Sequence, residues 1–94
     1  MNKYANICGI PYKIIECEEN FSDGHCGLID YRKQLIKINK DMAKEYKEQT
    51  LMHEMIHGIF TCIGRNDLAE DEVLVQSLAN GIYTSSFKLK LEDR

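Results

Sequence analysis

Apolar residues recur at helical spacing through a long stretch in the second half of the sequence. They lie three or four positions apart, as on one side of an α-helix. These residues are Leu51, Met52, Met55, Ile56, Ile59, Phe60 and Ile63. Gly64 follows directly, and glycine tolerates the left-handed backbone conformation at which many helices end. The pattern therefore predicts an amphipathic helix from about Glu45 to Cys62.

A second helix is expected to follow the first after a short turn. Asp67 and Glu70 have the spacing of a capping box, with aspartate in place of serine or threonine. The helix that they open is expected to run to about Phe87, and the charged residues 88–94 are expected to fray. Its predicted inner face consists of Val75, Leu78, Ala79, Ile82 and Tyr83.

The first half of the sequence is typical of β-structure. Residues 10–16 are apolar and β-branched, and residues 27–31 and 34–39 form two further short strands with a tight hairpin at Arg32-Lys33. Residues 18–27 contain Asn, Ser, Asp and Gly and indicate a loop. We therefore expect an α+β fold, in which a small antiparallel sheet of about three strands precedes two packed helices.

Length and composition favour a single domain over residues 1–94, because two halves would be too small to bury separate cores. A net charge of −3 with dispersed lysines gives no reason to expect nucleic-acid binding. No secretory signal is recognisable, and the longest mostly apolar stretch is too short to span a bilayer. We expect a cytoplasmic protein without a membrane partner.

The four cysteines are Cys8, Cys17, Cys26 and Cys62. No two of them form a Cys-x-x-Cys pair, so a cysteine-rich structural zinc site is weakly supported. Without a secretory signal, reduced thiols are expected, and Cys62 is assigned to the helix core.

The segment His53-Glu54-Met55-Ile56-His57 lies inside the first predicted helix. Residues four apart on a helix lie on nearly the same side, so both imidazoles can reach one metal ion. Zinc accepts imidazole nitrogen, and a catalytic zinc site keeps one position for water. Glu54 is then the general base that takes a proton from this water. The alternative is a pair of polar helix residues that face solvent.

A catalytic zinc ion needs a third protein ligand. The candidates are Glu70, Asp71 and Glu72 at the start of the second helix, and His25 upstream. An antiparallel second helix brings its first turn beside the motif. Glu72 is preferred because it shares a stripe with the inward apolar residues. Glu70 lies about 160° away around the helix and is assigned to the capping box.

Five segments occur in an order that adds weight to the motif. They are residues 9–12 (GIPY), 27–31 (GLIDY), 34–38 (QLIKI), 50–57 (TLMHEMIH) and 72–81 (EVLVQSLANG). Together they resemble a small gluzincin-type zinc metallopeptidase domain of phages and mobile elements, related to the ImmA/IrrE-like group. The resemblance implies a zinc ion held by His53, His57 and Glu72, with Glu54 as base.

Two functions are compatible with these features. The first is a zinc metallopeptidase that hydrolyses a peptide bond of a protein or peptide substrate through a zinc-bound water. Its substrate is expected to pair with a strand edge within residues 27–39, and Tyr31, Tyr83 or His25 are candidate oxyanion donors. The alternative is a non-catalytic, zinc-stabilised phage regulatory or interaction module, in which the metal supplies folding free energy to a small domain.

Overall fold

The computed structural model describes residues 2–18, 27–85 and 91–94, and every structural statement below concerns these residues. The elements are β1 (Lys3–Ile7), β2 (Ile10–Cys17), β3 (Gly27–Asp30), β4 (Leu35–Asn39), α1 (Lys44–Cys62), α2 (Asn66–Ala69), α3 (Glu72–Tyr83) and β5 (Glu92–Asp93). The expected α+β class is confirmed. The expected numbers of about three strands and two helices are wrong, because the described part of the chain has five strands and three helices.

The five strands form one mixed sheet in the order β3-β4-β2-β1-β5. β1 pairs with β2 and β5, and β3 with β4, in the antiparallel sense, whereas β2 and β4 are parallel. A parallel pair needs a long connection, and here the chain between β2 and β4 contains the whole of β3. The expectation of a purely antiparallel sheet is therefore wrong, and β3 lies at one edge of the sheet.

The strand that sequence reasoning missed at the start of the chain is β1. Ala5 and Ile7 are buried and Asn6 between them is exposed, so β1 does alternate, but over too few residues to give a clear signal. The turn into β2 places Cys8 at φ 52° and Gly9 at φ 83°. Two positive φ angles are what a two-residue hairpin requires, although the usual Asn-Gly sequence is absent.

The predicted hairpin between β3 and β4 is present. Its loop spans residues 31–34, and the Asp30 carboxylate accepts hydrogen bonds from the backbone N–H groups of Arg32 and Lys33, both at 3.0 Å. Gln34 completes the reversal at φ 54°. The hydrogen bonds of the aspartate side chain thus stabilise a turn that lacks the usual Asn-Gly sequence.

Helix α1 agrees with its prediction to within one residue and ends at the predicted glycine, since Gly64 has φ 81°. The Arg65 N–H donates to the Phe60 carbonyl at 2.8 Å, and the Gly64 N–H donates to the Thr61 carbonyl at 3.1 Å. This pair of bonds is a Schellman motif, which satisfies the last carbonyls of α1 and turns the chain back.

The predicted start of the second helix is wrong. Residues 66–69 form the separate short helix α2, and Asp67 pairs with Arg65 at 2.8 Å instead of opening a capping box. The cap of α3 is Asp71, whose carboxylate accepts from the Leu74 N–H at 3.0 Å. The chain therefore makes one extra turn, α2, before it runs back along α1. The expected end at Phe87 falls outside the described residues, and α3 ends at Tyr83.

Helix α1 packs on two sides. One side carries Leu51 into a buried cluster with residues of β1, β2 and β4, and the other carries Ile56 against Val75 and Ala79 of α3. Val75 and Ala79 are fully buried, as expected of the inner face of α3, whereas Leu78 is 38% exposed. The motif helix is therefore the layer between the sheet and α3.

Gly58 allows α1 to lie close to the sheet. A Cβ atom at this position would lie 2.8 Å from the Ile7 Cδ1 and 3.1 Å from the Ile29 Cδ1. Ile7 is almost fully buried and has little room to move away. Since Gly58 directly follows His57, its contact with the sheet also sets the height of the motif above the strands.

We expect Gly58→Ala to lower the free energy of unfolding by about 1 kcal/mol, because the added methyl group overpacks the contact with Ile7. Gly81→Ala is the matched control, since Gly81 is also helical but a Cβ there meets nothing within 4 Å. That control should gain about 0.5–1 kcal/mol from helix propensity. Urea denaturation measures both, and equal gains would refute the close approach at Gly58.

Candidate metal centre

The structure brings together the side chains of His53, His57 and Glu72. The His57 Nε2 lies 2.8 Å from one Glu72 carboxylate oxygen, and the His53 Nε2 lies 3.2 Å from the other. The two Nε2 atoms are 3.1 Å apart. One ligand atom from each residue lies within 4.8 Å of the others, so this cluster can hold a metal ion.

The two helices explain this convergence. His53 and His57 are four residues apart on α1, and Glu72 is the first residue of α3. The Schellman motif and α2 return the chain so that the start of α3 faces the second half of α1. Asp71 is occupied as the α3 cap, and Glu70 is exposed and lies outside the three-residue cluster. His25 lies outside the described residues.

The outer nitrogens of both imidazoles are also engaged. The His53 Nδ1–H donates to the Gln76 Oε1 at 2.8 Å, and the Gln76 amide in turn donates to the Asn80 Oδ1 at 2.9 Å. The ring of His57 bonds to the backbone of Ala69, and because this bond raises the pKa of His57, the acceptor is the carbonyl. Metal-ligating histidines commonly donate their second N–H in this way.

Sequence reasoning missed Gln76. The available signal was its spacing, because Glu72, Gln76 and Asn80 are four residues apart and share one side of α3. A polar stripe on a helix that packs against a histidine motif indicates an outer layer of hydrogen bonds around the site.

This hydrogen-bond pattern tests whether the cluster suits a cation. With its Nδ1 acting as a donor, the neutral His53 ring presents the Nε2 lone pair to the His57 Nε2 and to the Glu72 carboxylate. Several acceptors that face one another at these distances need protons or a metal ion between them. The donor set of two imidazole nitrogens and a carboxylate oxygen fits a divalent transition metal.

The pKa of His57 is lowered, mainly because burial disfavours the charged imidazolium, although the Glu72 carboxylate acts in the opposite direction. A lowered pKa keeps the imidazole neutral near neutral pH. The neutral form is the one that binds a metal ion.

Glu54 lies beside the cluster but is not part of it. Its side chain is buried, with the residue only 7% exposed, and burial followed by the nearby Glu72 charge raises its pKa to about 7. A Cβ atom on Gly27 would lie 3.6 Å from the Glu54 Cγ, so the start of β3 covers this side chain. A carboxyl group with a pKa near 7 can both accept and return a proton near neutral pH.

The edge strand β3 runs beside α1 in the same direction as the helix. Gly27 adjoins Glu54, Ile29 reaches Gly58, and the Tyr31 hydroxyl lies 3.1 Å from the Thr61 Oγ1. β3 pairs only with β4 among the described strands, so no other described strand pairs with its outer edge.

The two described candidates for an oxyanion donor lie at different places. Tyr31 is on the same side of α1 as the cluster, where it bonds to Thr61 and packs edge-on against Tyr12 at 6.5 Å between ring centroids. Tyr83 bonds to Glu48 near the start of α1, so it lies at the far end of α3 from Glu72. The structure thus brings Tyr31 towards the site and leaves Tyr83 remote from it.

No protein-family model matches this chain, and neither a curated protein nor a solved structure is significantly similar to it. Within residues 2–18, 27–85 and 91–94, no helix is both long and apolar enough to span a membrane.

We expect Glu54→Gln to stabilise the metal-free protein at alkaline pH. The folded-state pKa of Glu54 is raised from 4.5 to about 7, so its contribution to stability is fully present below 4.5 and is lost as the pH rises through 7. Glutamine mimics the protonated acid. The variant should match the wild type at about pH 4 and exceed it by up to about 3 kcal/mol at about pH 8.

Urea denaturation in the presence of a chelator measures this difference at both pH values. Glu70→Gln is the control, because Glu70 is exposed and its replacement should change little at either pH. A Glu54→Gln effect that does not depend on pH would contradict the burial of an ionisable Glu54.

Proposed function

We propose that this protein binds one zinc ion through His53, His57 and Glu72 and hydrolyses peptide bonds, with Glu54 as the general base. The observation that carries the proposal is the convergence of two imidazole Nε2 atoms on the Glu72 carboxylate. The buried Glu54 lies directly beside this convergence. The same four roles are what the gluzincin resemblance implies.

Zinc is the metal that this donor set supports best. Two imidazoles and one carboxylate are a known ligand set of catalytic zinc, and three protein ligands leave a further position for water. When bound, the ion supplies Lewis-acid activation of water and of a substrate carbonyl. His53 and His57 are held by their outer hydrogen bonds, so the ligand atoms are oriented in advance.

Glu54 supplies the proton transfer. Its raised pKa means that a fraction of the protein has an ionised Glu54 near neutral pH, which can take a proton from the attacking water. The protonated side chain can then deliver the proton to the leaving amine. Burial beside the start of β3 keeps the carboxyl group in one place and away from bulk solvent.

The open edge of β3 supplies a place for the substrate. An extended peptide can add to a strand edge through backbone hydrogen bonds, which places its carbonyl groups at regular intervals. Because β3 runs alongside α1 from Glu54 towards Thr61, a peptide on this edge passes the metal cluster. Tyr31 at the end of β3 is the candidate donor to the developing oxyanion.

We expect one equivalent of zinc to bind, with graded losses of affinity in two variants and none in a control. Glu72→Ala removes a ligand and should weaken zinc binding by at least about 100-fold, whereas Gln76→Ala removes an outer hydrogen bond and should weaken it about 10-fold. Glu70→Ala is the matched control from the same turn and should not change the affinity. Competition with a chromophoric chelator measures all three, and equal losses for Glu70 and Glu72 would contradict the ligand assignment.

We expect the zinc-loaded protein to cleave members of a quenched fluorescent peptide library. Glu54→Gln should reduce the cleavage rate by at least about 100-fold, because a general base contributes about that much or more. The same variant should retain its zinc, since Glu54 is not a ligand in this proposal. The measurement is initial rate together with bound zinc, determined on one preparation.

Two results separate the alternatives. Zinc binding without cleavage by the wild type would favour the non-catalytic, zinc-stabilised regulatory or interaction module. Equal cleavage by the wild type and Glu54→Gln would remove Glu54 from the mechanism.

A further inference from the structure

Two cysteines that are far apart in sequence meet at the end of α1. Cys8 lies in the turn between β1 and β2, and Cys62 is the last residue of α1. The packing of the Ile7 side chain against Gly58 brings them there, because Cys8 follows Ile7 and Cys62 lies one helical turn after Gly58.

The Cys62 thiol lies close enough to the Cys8 thiol to raise the pKa of Cys8, and both residues are exposed. Both thiols also lie near the buried Tyr12, so the pair occupies one place beside the sheet. Sequence reasoning assigned Cys62 to the helix core, and its exposure shows that this assignment is wrong.

We propose that Cys8 and Cys62 form a reversible oxidative modification site, at which a small disulfide such as oxidised glutathione converts the two thiols into one intramolecular disulfide. The proposal concerns the part of α1 beyond the metal cluster and does not depend on the proposed peptidase activity.

The exchange balances in two steps. The Cys62 thiol loses its proton, and its sulfur attacks one sulfur of glutathione disulfide, which releases one glutathione thiolate and leaves a mixed disulfide. The Cys8 thiol then loses its proton and attacks the Cys62 sulfur, which releases the second glutathione. The two protein thiols are oxidised, and the glutathione disulfide is reduced to two thiols.

The assignment of the two roles follows from the proximity of the two thiols. The nearby Cys62 thiol raises the pKa of the Cys8 thiol. The Cys8 thiol is therefore deprotonated less readily than an ordinary thiol, and it is suited to the second step. Its position in a tight turn holds it next to Cys62, so the second step is intramolecular. This step therefore competes well with the reaction of Cys8 with a second molecule of glutathione disulfide.

The product links the β1–β2 turn to the last turn of α1. This cross-link encloses most of the sheet and the whole histidine motif in one covalent loop. A long closed loop restricts the unfolded chain, so oxidation should stabilise the fold with or without a bound metal. The Ile7 side chain packs against Gly58, so the turn that holds Cys8 and the last turn of α1 are neighbours in the fold.

The test is oxidation of the purified full-length protein in glutathione redox buffers, followed by alkylation and mass spectrometry under non-reducing conditions. We expect the wild type to lose two hydrogen atoms and to yield one cross-linked peptide pair that contains Cys8 and Cys62. The midpoint of thermal unfolding should rise by about 10 °C on oxidation and return on reduction.

Matched variants identify the pair. Cys8→Ser and Cys62→Ser should each abolish the cross-link and the thermal shift, and Cys8→Ser should accumulate the mixed disulfide at Cys62. Cys17→Ser should behave as the wild type, because Cys17 lies on β2 and is not part of the pair.

Three results would overturn the proposal. They are a cross-link that involves Cys17 or Cys26, glutathione attached to both Cys8 and Cys62, and no reaction under conditions that oxidise a control dithiol. Mapping of the wild type decides between these results, so the conclusion does not rely on the folding of any variant. Failure of zinc binding or of cleavage would leave the disulfide result unaffected.

Discussion

The packing of α1 on two opposite sides is the interaction on which the rest of the structure depends. Leu51 and Gly58 face the sheet, and Ile56 faces Val75 and Ala79 of α3. The remaining sides of the helix cannot be buried by either neighbour. His53 and His57 emerge on one of these sides, between the two packed surfaces, so the apolar core leaves them only a narrow set of positions relative to α3. The metal cluster is thus a consequence of how the helix is buried.

The ordered polar shell follows from the same arrangement. Imidazoles that emerge between two packed surfaces are mostly desolvated, and buried polar atoms must find partners. α3 supplies the Gln76 amide for His53, and α2 supplies its backbone at Ala69 for His57. Glu54 is buried on the neighbouring side of the helix, where the cost of its charge gives it a pKa near neutrality. His53, Glu54 and His57 therefore have three different electrostatic environments, although they lie within five residues of one helix.

Patterns within a short stretch of sequence predicted the features that depend mainly on neighbouring residues. The helical period and Gly64 defined α1 to within one residue, and the spacing of His53 and His57 was enough to place both rings on one side. Glu72 was preferred over Glu70 because it lies on the same side of the helix as the inward apolar residues, and the structure brings Glu72 to the histidines. Identifying the ion as zinc, and Glu54 as a base, goes beyond the geometry and stays a proposal.

The errors arose where distant parts of the chain decide the outcome. β1 is too short to stand out alone and is held by pairing with β2 on one side and β5 on the other. The parallel pairing of β2 with β4 depends on a crossover that no local window contains. α3 begins later than expected: Asp67 lies in α2, where it pairs with Arg65, and Asp71 caps α3. Gln76 was missed since its role exists only once α1 and α3 lie together.

The glycine after the second histidine has a consequence for the spacing between the motif helix and the edge strand. With no side chain at Gly58, the helix rests on Ile7 and Ile29, and this contact helps to set the distance between the edge strand and the two imidazoles. A side chain at Gly58 would push the helix away from these two residues and increase the distance between β3 and the candidate metal site. Under the proposed peptidase function, a larger residue at this one position would therefore change the width of the substrate cleft without altering any proposed metal ligand.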